Sequence, residues 1–269
     1  MPVWGYNMIR YLRLYGYFLR FAASRSMEFR VDFFFRIVMD LAYYAVGFAF
    51  FEILFQHSDS LAGWNVHQMR IFVASYILID AIHMTVFSNN LWWLPVLVNK
   101  GDLDYYLIRP ISSLFFLSLR DFAFNSFLNL FFANAILFWA LHSYPEPLGF
   151  LHYIGFFWMI LCGSLLYYGV HLVLILPVFW TQSGESLHGL FYNVARFMER
   201  PDRVYRGWVR PLLLVVLPFG LMASFPTRML LEPFRLWVPM VMLGVLAAYF
   251  LGISWLWGSG LKSYSSASS

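Results

Sequence analysis

The chain has 269 residues, of which 61% are hydrophobic, 22% are aromatic and only 12% are charged. Soluble domains carry about 25% charged residues, and a single soluble core stops growing near ~250–300 residues. The composition therefore argues against a soluble enzyme, a disordered chain and a nucleic-acid-binding module, and it predicts an integral membrane protein. The net charge of +4 is typical of a protein that faces anionic lipid, and the lone Cys162 excludes an intrachain disulfide.

Six stretches of the chain are apolar enough to cross a bilayer, which takes about 20 residues of helix. They predict an all-α, polytopic fold in which residues 1–269 form a single transmembrane domain. The fifth stretch is short and contains Pro218 and Gly220. The predicted spans are residues 37–55, 71–91, 114–141, 150–180, 209–225 and 236–257.

The basic residues predict which side of the membrane each segment occupies. If both termini are inside, the inner segments contain 15 of the 18 Lys and Arg residues, and only Arg70, Arg228 and Arg235 lie outside or at the outer boundary. Cytoplasmic segments of membrane proteins are enriched in Lys and Arg. We therefore expect both termini to be cytoplasmic.

Two amphipathic segments lie outside these spans. In residues 8–24, Arg10, Arg13 and Arg20 share one helical face, which predicts an interfacial helix with its arginines at the lipid phosphates. Residues 187–203 show an equally clean helical periodicity and predict a second helix lying on the cytoplasmic surface. Both segments fit simple membrane anchoring as well as a functional role.

The common motifs of catalysis and metal binding are missing from the sequence. There is no Walker A phosphate loop, no His-Glu-x-x-His and no Gly-x-Ser-x-Gly. The seven histidines lack metal-ligand spacing, apart from Asp80 and His83, which are one helical turn apart. We expect no catalytic residue, no metal site and no cofactor in this chain.

Ionisable residues inside the predicted spans are costly in lipid and indicate a partner or a cavity. Asp40 lies four residues after Arg36, so a local ion pair is the simplest interpretation. Asp80 and His83 lie on one face of the second span. They either contact a proton or substrate or, as we favour, join two helices through polar contacts.

The third predicted span has the clearest polar pattern. Ser118, Asp121, Asn125 and Asn129 follow one another at helical spacing and predict one continuous polar stripe on an otherwise apolar helix. Such a stripe has to face other helices or water rather than lipid. It lines either a subunit interface, which we favour, or a transport path.

Residues 91–110, between the second and third spans, form an amphipathic cytoplasmic loop in this prediction. Gly101 breaks the segment, Asp102 is placed to cap a short following helix, and Pro110 ends that helix at Arg109. A short helix across the cytoplasmic face is well placed to receive force from a soluble partner.

This loop carries a resemblance to a known family. Lys100-Gly-Asp-Leu-Asp104, followed by Leu107-Ile-Arg-Pro110, closely resembles the GxLD…LLRP signature of type-2 ATP-binding-cassette (ABC-2) permeases. These are the membrane subunits of bacterial ATP-driven exporters. Residues 28–33 and 260–268 are weaker matches to the same family.

The resemblance implies two permease subunits, alike or related, in the bacterial inner membrane, with two separate ATPase subunits that hold ATP and Mg. It makes residues 8–24 an elbow helix and predicts short re-entrant helices on the outer side between spans five and six. It also makes residues 91–110 the coupling segment. In that segment Gly101 would provide the turn, Leu103 an apolar knob, Asp102 and Asp104 charges or caps, and Arg109 with Pro110 the return to the membrane.

Two rival functions remain open from the residues alone. An ion-coupled secondary transporter would use Asp80, His83 and Asp121 as proton carriers, and an intramembrane transferase would act on lipid. A neighbouring gene that encodes an ATPase with a Walker A loop would favour the exporter.

Overall fold

A computed structural model describes residues 3–26, 30–123 and 126–264. These residues form α-helices joined by short turns and no β-strand, which confirms the predicted all-α class. Asn125, the side chains of Arg10 and Arg36, and the end of the carboxyl-terminal motif lie outside the described part.

The described residues form thirteen α-helices, together with one π-helical turn at Met84–Ser88 and 3₁₀ turns at Arg196–Glu199 and Asp202–Val204. The helices are α1 (Val3–Ser26), α2 (Arg30–Phe55), α3 (Val66–His83), α4 (Asn89–Lys100), α5 (Asp104–Leu107), α6 (Ser113–Leu119), α7 (Phe127–His142), α8 (Phe150–Ile175), α9 (Val178–Thr181), α10 (Gly184–Ala195), α11 (Val209–Val215), α12 (Phe219–Leu231) and α13 (Trp237–Ser263).

Four helical runs are long and apolar enough to cross a membrane, or five if the bent pair α11–α12 is one span. The six spans predicted from the sequence are therefore not confirmed as such. One reason is that α7, at 16 residues, is shorter than the others. The four runs are Ile37–Phe55, Val66–Lys100, Phe150–Thr181 and Trp237–Ser263.

The bundle has two ends, which we call the Gly101 end and the Glu146 end. At the Gly101 end, Asn99 donates a hydrogen bond to the Gln182 carbonyl at 2.9 Å, and Trp180 donates one to Ser263 at 3.0 Å. Helix α1 joins the same end, because the Tyr11 hydroxyl accepts a hydrogen bond from the Ser112 backbone at 3.1 Å. The described parts of both termini thus lie at the Gly101 end.

The second predicted span is longer than expected. Helices α3 and α4 and the π turn between them form one helical run of 35 residues, Val66–Lys100. Its start is fixed by a capping box, in which Asn65 and Gln68 exchange side-chain to backbone hydrogen bonds. Residues 91–100, predicted as part of a loop, continue the helix.

The third predicted span is broken. Helix α6 ends at Leu119 and α7 begins at Phe127, so residues 114–141 are not one continuous helix. The break lies beside the π turn and α4, whose polar groups bind the released backbone, as described below.

The amphipathic segment predicted for the cytoplasmic surface packs one of its sides against the bundle. Helix α10 packs against α8 and starts where Gly184 contacts Pro95 at the Gly101 end. The chain then reaches the Glu146 end, where the backbone N–H of Asp202 donates to the Ser224 hydroxyl at 3.1 Å. The apolar side of this segment, which includes Phe191 and Met198, is buried against neighbouring helices rather than lipid.

The predicted fifth span is a pair of short helices. Helices α11 and α12 meet at an angle of 83°. Helix α12 lies along α8 and packs closely on it, because Gly163 leaves room for the Met222 backbone. Arg203 contacts Glu232 at 2.9 Å, so the two lie at the same end of the bundle. Arg203, Arg206 and Arg210 thus join the Glu146 end, and the excess of basic residues at the Gly101 end is smaller than the sequence count suggests.

We expect cysteines placed at Ser183 and Arg206 to react with a membrane-impermeant maleimide from opposite sides of a sealed vesicle. The segment between them runs the length of the bundle, and both residues are exposed. The native Cys162 is buried and serves as a silent background. Exposed Ser112 and Ser60 provide matched positions at the Gly101 and Glu146 ends. Labelling of Ser183→Cys and Arg206→Cys from one side would contradict the crossing.

We expect Gly163→Ala to weaken the contact between α8 and α12. The new Cβ would lie 2.7 Å from the Met222 carbonyl oxygen, which belongs to the backbone and cannot turn aside. Overpacking of this kind costs about 1–3 kcal/mol, and the measurement is thermal unfolding in detergent, followed by size-exclusion chromatography. The control is Gly252→Ala, whose Cβ meets no atom within 4 Å. Equal Tm values for the two variants would refute the close packing.

Candidate functional site

A cavity of about 370 Å³ lies between α2, α3, α8 and the helical segment that α10 begins. Asp40 and Asp80, both singled out from the sequence, line it together, although they belong to neighbouring helices. The third carboxylate is Glu199, which the sequence analysis missed. The lining residues are Met39, Asp40, Tyr43, Tyr44, Tyr76, Asp80, Met84, Tyr167, Tyr192, Ala195, Arg196, Met198 and Glu199.

Tyrosine and asparagine side chains position the three carboxylates. The Tyr43 hydroxyl donates to Glu199 at 2.6 Å, and the Tyr44 hydroxyl donates to Asp80 at 3.3 Å. Asp40 accepts a hydrogen bond from the Asn129 side chain on α7. Each carboxylate therefore accepts a hydrogen bond from a helix other than its own. These bonds hold the carboxylates toward the cavity rather than toward lipid.

His83 does not share the cavity with Asp80. It forms a 2.9 Å hydrogen bond with His171 of α8, and the His171 ring stacks on Phe191. His83 thus joins α3 to α8, as the helix-joining interpretation predicts, while Asp80 faces a cavity. The two residues thus bind different partners, since Asp80 accepts from Tyr44 of α2 and His83 bonds His171 of α8.

The members of the predicted polar stripe contact three different helices of their own subunit. Ser118 bonds the Tyr168 hydroxyl of α8 at 2.6 Å, and Asn129 bonds Asp40 of α2. Asp121 accepts from Asn89 of α4 at 2.6 Å. These partners are intrasubunit, so the described members are not one helical face turned to a second subunit.

The break between α6 and α7 is stabilised by the helical run Val66–Lys100. Asn90 donates to the Asp121 carbonyl at 2.7 Å and accepts from the Asp121 backbone N–H at 2.9 Å. The Thr85 carbonyl, in the π turn, accepts from the Ala123 N–H at 2.9 Å. A π turn shifts the helical ladder and releases a carbonyl for an outside donor. Asn89 and Asn90 were not selected from the sequence, although two polar residues in an apolar run are a usable signal.

The Gly101 turn has the geometry expected from the sequence. Gly101 is left-handed, with φ of 75°, and its N–H bonds the Val98 carbonyl at 3.3 Å. The Asp102 N–H bonds the Leu97 carbonyl at 3.0 Å, which completes a Schellman end to α4. Helix α5 begins at Asp104 without a side-chain cap, so Asp102 does not have the capping role predicted for it.

Leu103 faces inward rather than toward a partner. It is 0% exposed and belongs to an apolar cluster with Val98, Phe179 and Trp257. The predicted apolar knob is therefore part of the subunit's own core. The exposed large apolar residues that follow Leu103 in this segment are Tyr105, at 66%, and Ile108, at 81%.

The rest of the turn is held by its neighbours. Arg109 donates to the Tyr105 carbonyl at 3.2 Å and lies over the Phe116 ring, and Pro110 is exposed beside it. Tyr264 packs against the same cluster. Burial and, to a smaller extent, the negative charge of Asp104 raise the pKa of Tyr264, so the carboxyl end of α13 meets the turn.

Helix α1 lies against the segment that follows this turn. Tyr11 and Phe18 form edge-on ring contacts with Phe115 and Phe116. Arg13 and Arg20 are exposed, as a helix at the lipid surface requires. Among the described residues, no three His, Cys, Asp or Glu side chains converge as a metal site requires.

We expect Asn90→Leu to destabilise the subunit by about 1–3 kcal/mol, because it removes both hydrogen bonds between the Asn90 side chain and the Asp121 backbone. The measurement is Tm in detergent. Asn134→Leu is the matched control, since the Asn134 side chain is exposed and bonds only its own helix in the described contacts. A similar Tm for the two variants would show that the break does not depend on Asn90.

The sequence also matches a known protein family. A sequence model described as ABC-2 family transporter protein matches residues 41–268, which includes all the cavity residues except Met39 and Asp40, the Gly101 turn and the bent pair α11–α12. No curated protein and no solved structure matches the chain. The match covers most of the sequence, and the chain therefore belongs to the ABC-2 transporter family, as a multi-pass membrane component of an ABC transporter.

Proposed function

We propose that this chain is the permease subunit of an ATP-driven exporter in a bacterial inner membrane, and that it works with a separate ATPase and a second permease subunit. The observation that carries the proposal is the family match over residues 41–268, which includes the Gly101 turn. ATP and Mg bind the ATPase in this proposal, and hydrolysis takes place there.

We infer six crossings of the membrane, one of which is not among the apolar spans predicted from the sequence. The segment from α10 to Asp202 is the fifth crossing, because its contacts lead from the Gly101 end to the Glu146 end. The bent pair α11–α12 then corresponds to the re-entrant helices expected between spans five and six. The other crossings are α2, the run α3–α4, the broken α6–α7, α8 with α9, and α13. This order leaves both termini at the Gly101 end, which we propose to be cytoplasmic.

The exposed side of the Gly101 turn is the surface that we propose for the ATPase. Ile108 and Tyr105 provide apolar contact area, and Lys100 and Arg109 provide charge beside them. A groove of about 450 Å³ between α4 and the start of α10 lies at the same end and includes Asn99 and Glu185.

One helical run connects the surface proposed for the ATPase with the cavity. The Gly101 turn ends the helical run Val66–Lys100, and Asp80 belongs to the same run. A displacement of the turn by the closing ATPase would therefore move one wall of the cavity. Two states that differ in this way suit alternating access.

The exposed face of α2 is the surface that we propose for the second permease subunit and for lipid. Few residues of α2 and α13 are buried within the subunit. Phe34 and Phe35 are among the exposed apolar side chains of α2. A single subunit leaves such a face to lipid or to another chain.

The structure supports an ion-coupled secondary transporter and a lipid transferase less well than it supports an ATP-driven permease. A proton relay through Asp80, His83 and Asp121 would require them to approach one another. Their hydrogen bonds lead instead to Tyr44, to His171 and to Asn89, in three separate places. For a lipid transferase, none of the hydrogen bonds described above joins a Ser, Thr or Cys side chain to a histidine or a carboxylate.

We expect Ile108→Asp to leave the subunit folded and to weaken ATPase binding. Ile108 is 81% exposed, so the change costs the free subunit little. Burial of such a side chain in a partner groove contributes about 1.5–3 kcal/mol, so its loss would lower the affinity at least about tenfold. The measurement is co-purification of the cognate ATPase, identified as the chain with a Walker A loop, together with ATP turnover in proteoliposomes.

The matched control is Val204→Asp, which introduces the same charge at a partly exposed apolar residue near the Glu146 end. It should leave ATPase binding unchanged. Leu103→Asp does not serve as a test, because a charge at this buried position would disturb the subunit itself. Equal ATPase binding by wild type and Ile108→Asp would show that the Gly101 turn is not the docking surface.

A further inference from the structure

The cavity between α2, α3, α8 and the α10 segment has an unusual set of charges. Its described lining residues include three carboxylates, Asp40, Asp80 and Glu199, and one guanidinium, that of Arg196. Arg196 is exposed, so it lies at the rim rather than deep in the cavity. In apolar surroundings an excess of carboxylates is costly unless a cation compensates it.

Two other carboxylates of the described bundle show how arginine compensates such a charge. Glu52 pairs with Arg70 at 2.5 Å, and Asp202 pairs with Arg210 at 3.1 Å and also with Arg228. In the cavity, the hydrogen bonds to Asp80 and Glu199 come from tyrosine hydroxyls, which orient the carboxylates without neutralising them. An ammonium group that enters the cavity can therefore pair with Asp80 and Glu199, since no described ion pair joins either of them to arginine.

The remaining wall of the cavity favours an organic cation over a metal ion. Five tyrosines line it, and aromatic rings attract ammonium groups through their π faces. Met39, Met84 and Met198 add adaptable apolar surface. The described residues contain no cluster of three ligands suited to a metal, and the volume of about 370 Å³ suits a small organic molecule.

The opening of the cavity indicates where such a molecule would enter. Met39 and Tyr43, on α2, line the cavity and are 68% and 51% exposed, and Arg196 is exposed opposite them. The cavity therefore opens sideways, between two helices of the apolar bundle. An organic cation with an apolar part can reach this opening from the lipid surface.

We propose that this cavity binds an organic ammonium group, with Asp80 and Glu199 as its charge partners and the surrounding tyrosines as its aromatic walls. The inference rests on the proposed transport function, because it names the chemical class of the cargo. The same ammonium chemistry is found in free organic cations and in the headgroup of phosphatidylethanolamine.

The test measures binding of radiolabelled phenyltrimethylammonium to the full chain in lipid nanodiscs. The competitor is tert-butylbenzene, which has the same shape without the charge. We expect unlabelled phenyltrimethylammonium to displace the label at a free concentration at least tenfold lower than tert-butylbenzene does. Equal displacement by the two compounds would overturn the proposal, because the cavity would then recognise shape alone.

Variants locate the binding. The double variant Asp80→Asn with Glu199→Gln keeps hydrogen-bond acceptors for Tyr44 and Tyr43 and should lower the affinity at least tenfold. Asp59→Asn, on an exposed loop, removes one carboxylate elsewhere and should leave the affinity unchanged. Tyr43→Phe should bind more tightly than Tyr43→Leu, because only Phe keeps the ring. Wild-type affinity in the double variant, with its fold confirmed by an unchanged elution profile, would overturn the proposal.

Two further experiments are needed. One distinguishes a lipid headgroup from a free organic cation as the occupant, and the other distinguishes the cargo assignment from the permease function. If phosphatidylethanolamine in the nanodisc weakens probe binding relative to phosphatidylglycerol alone, the lipid headgroup is an occupant. If the lipid makes no difference, the site takes a free organic cation. Co-purification of an ATPase with coupled hydrolysis, but without selective binding of the cation, would overturn the cargo assignment and leave the permease function standing.

Discussion

A peptide group that leaves the helical ladder inside an apolar bundle has to find another polar partner. The centre of this molecule depends on how that requirement is met between α6 and α7. Asn90 binds both backbone groups of Asp121, and the Thr85 carbonyl, released by the π turn, binds the Ala123 N–H. The break is therefore joined to the 35-residue helical run Val66–Lys100, whose π turn and asparagines bind the backbone groups that the break releases.

The same helical run connects the surface proposed for the ATPase with the cavity. It begins at the Asn65 capping box, has Asp80 on the cavity wall, and ends at the left-handed Gly101. Leu103 then folds back into the core, so the turn is attached to α4, α9 and α13 rather than free to move alone. A turn with its apolar residue buried transmits displacement better than an exposed loop, because the packed neighbours move with it.

Charge placement distinguishes the parts of the bundle that hold it together from the part that has room for a ligand. Asp202 is fully buried and is bound by Arg210, Arg228 and the Ser224 hydroxyl. This network ties the end of the α10 segment to α12, close to the bend between α11 and α12. The cavity differs, since Asp80 and Glu199 are held by the hydroxyls of Tyr44 and Tyr43 rather than by arginines.

The sequence by itself determined the all-α membrane class, the family and the glycine turn, because these depend on composition and on local patterns. Gly101 adopts its left-handed conformation next to the end of a helix, and such ends are encoded within a few residues. The tertiary structure alone decided which helices meet. Asp40 and Asp80 were each recognisable as ionisable residues in apolar spans, but their shared cavity with Glu199 depends on contacts between distant segments. The path of α10 was misjudged for the same reason, since an amphipathic helix looks alike whether its polar face meets water or an internal cavity, and only the packed neighbours distinguish the two.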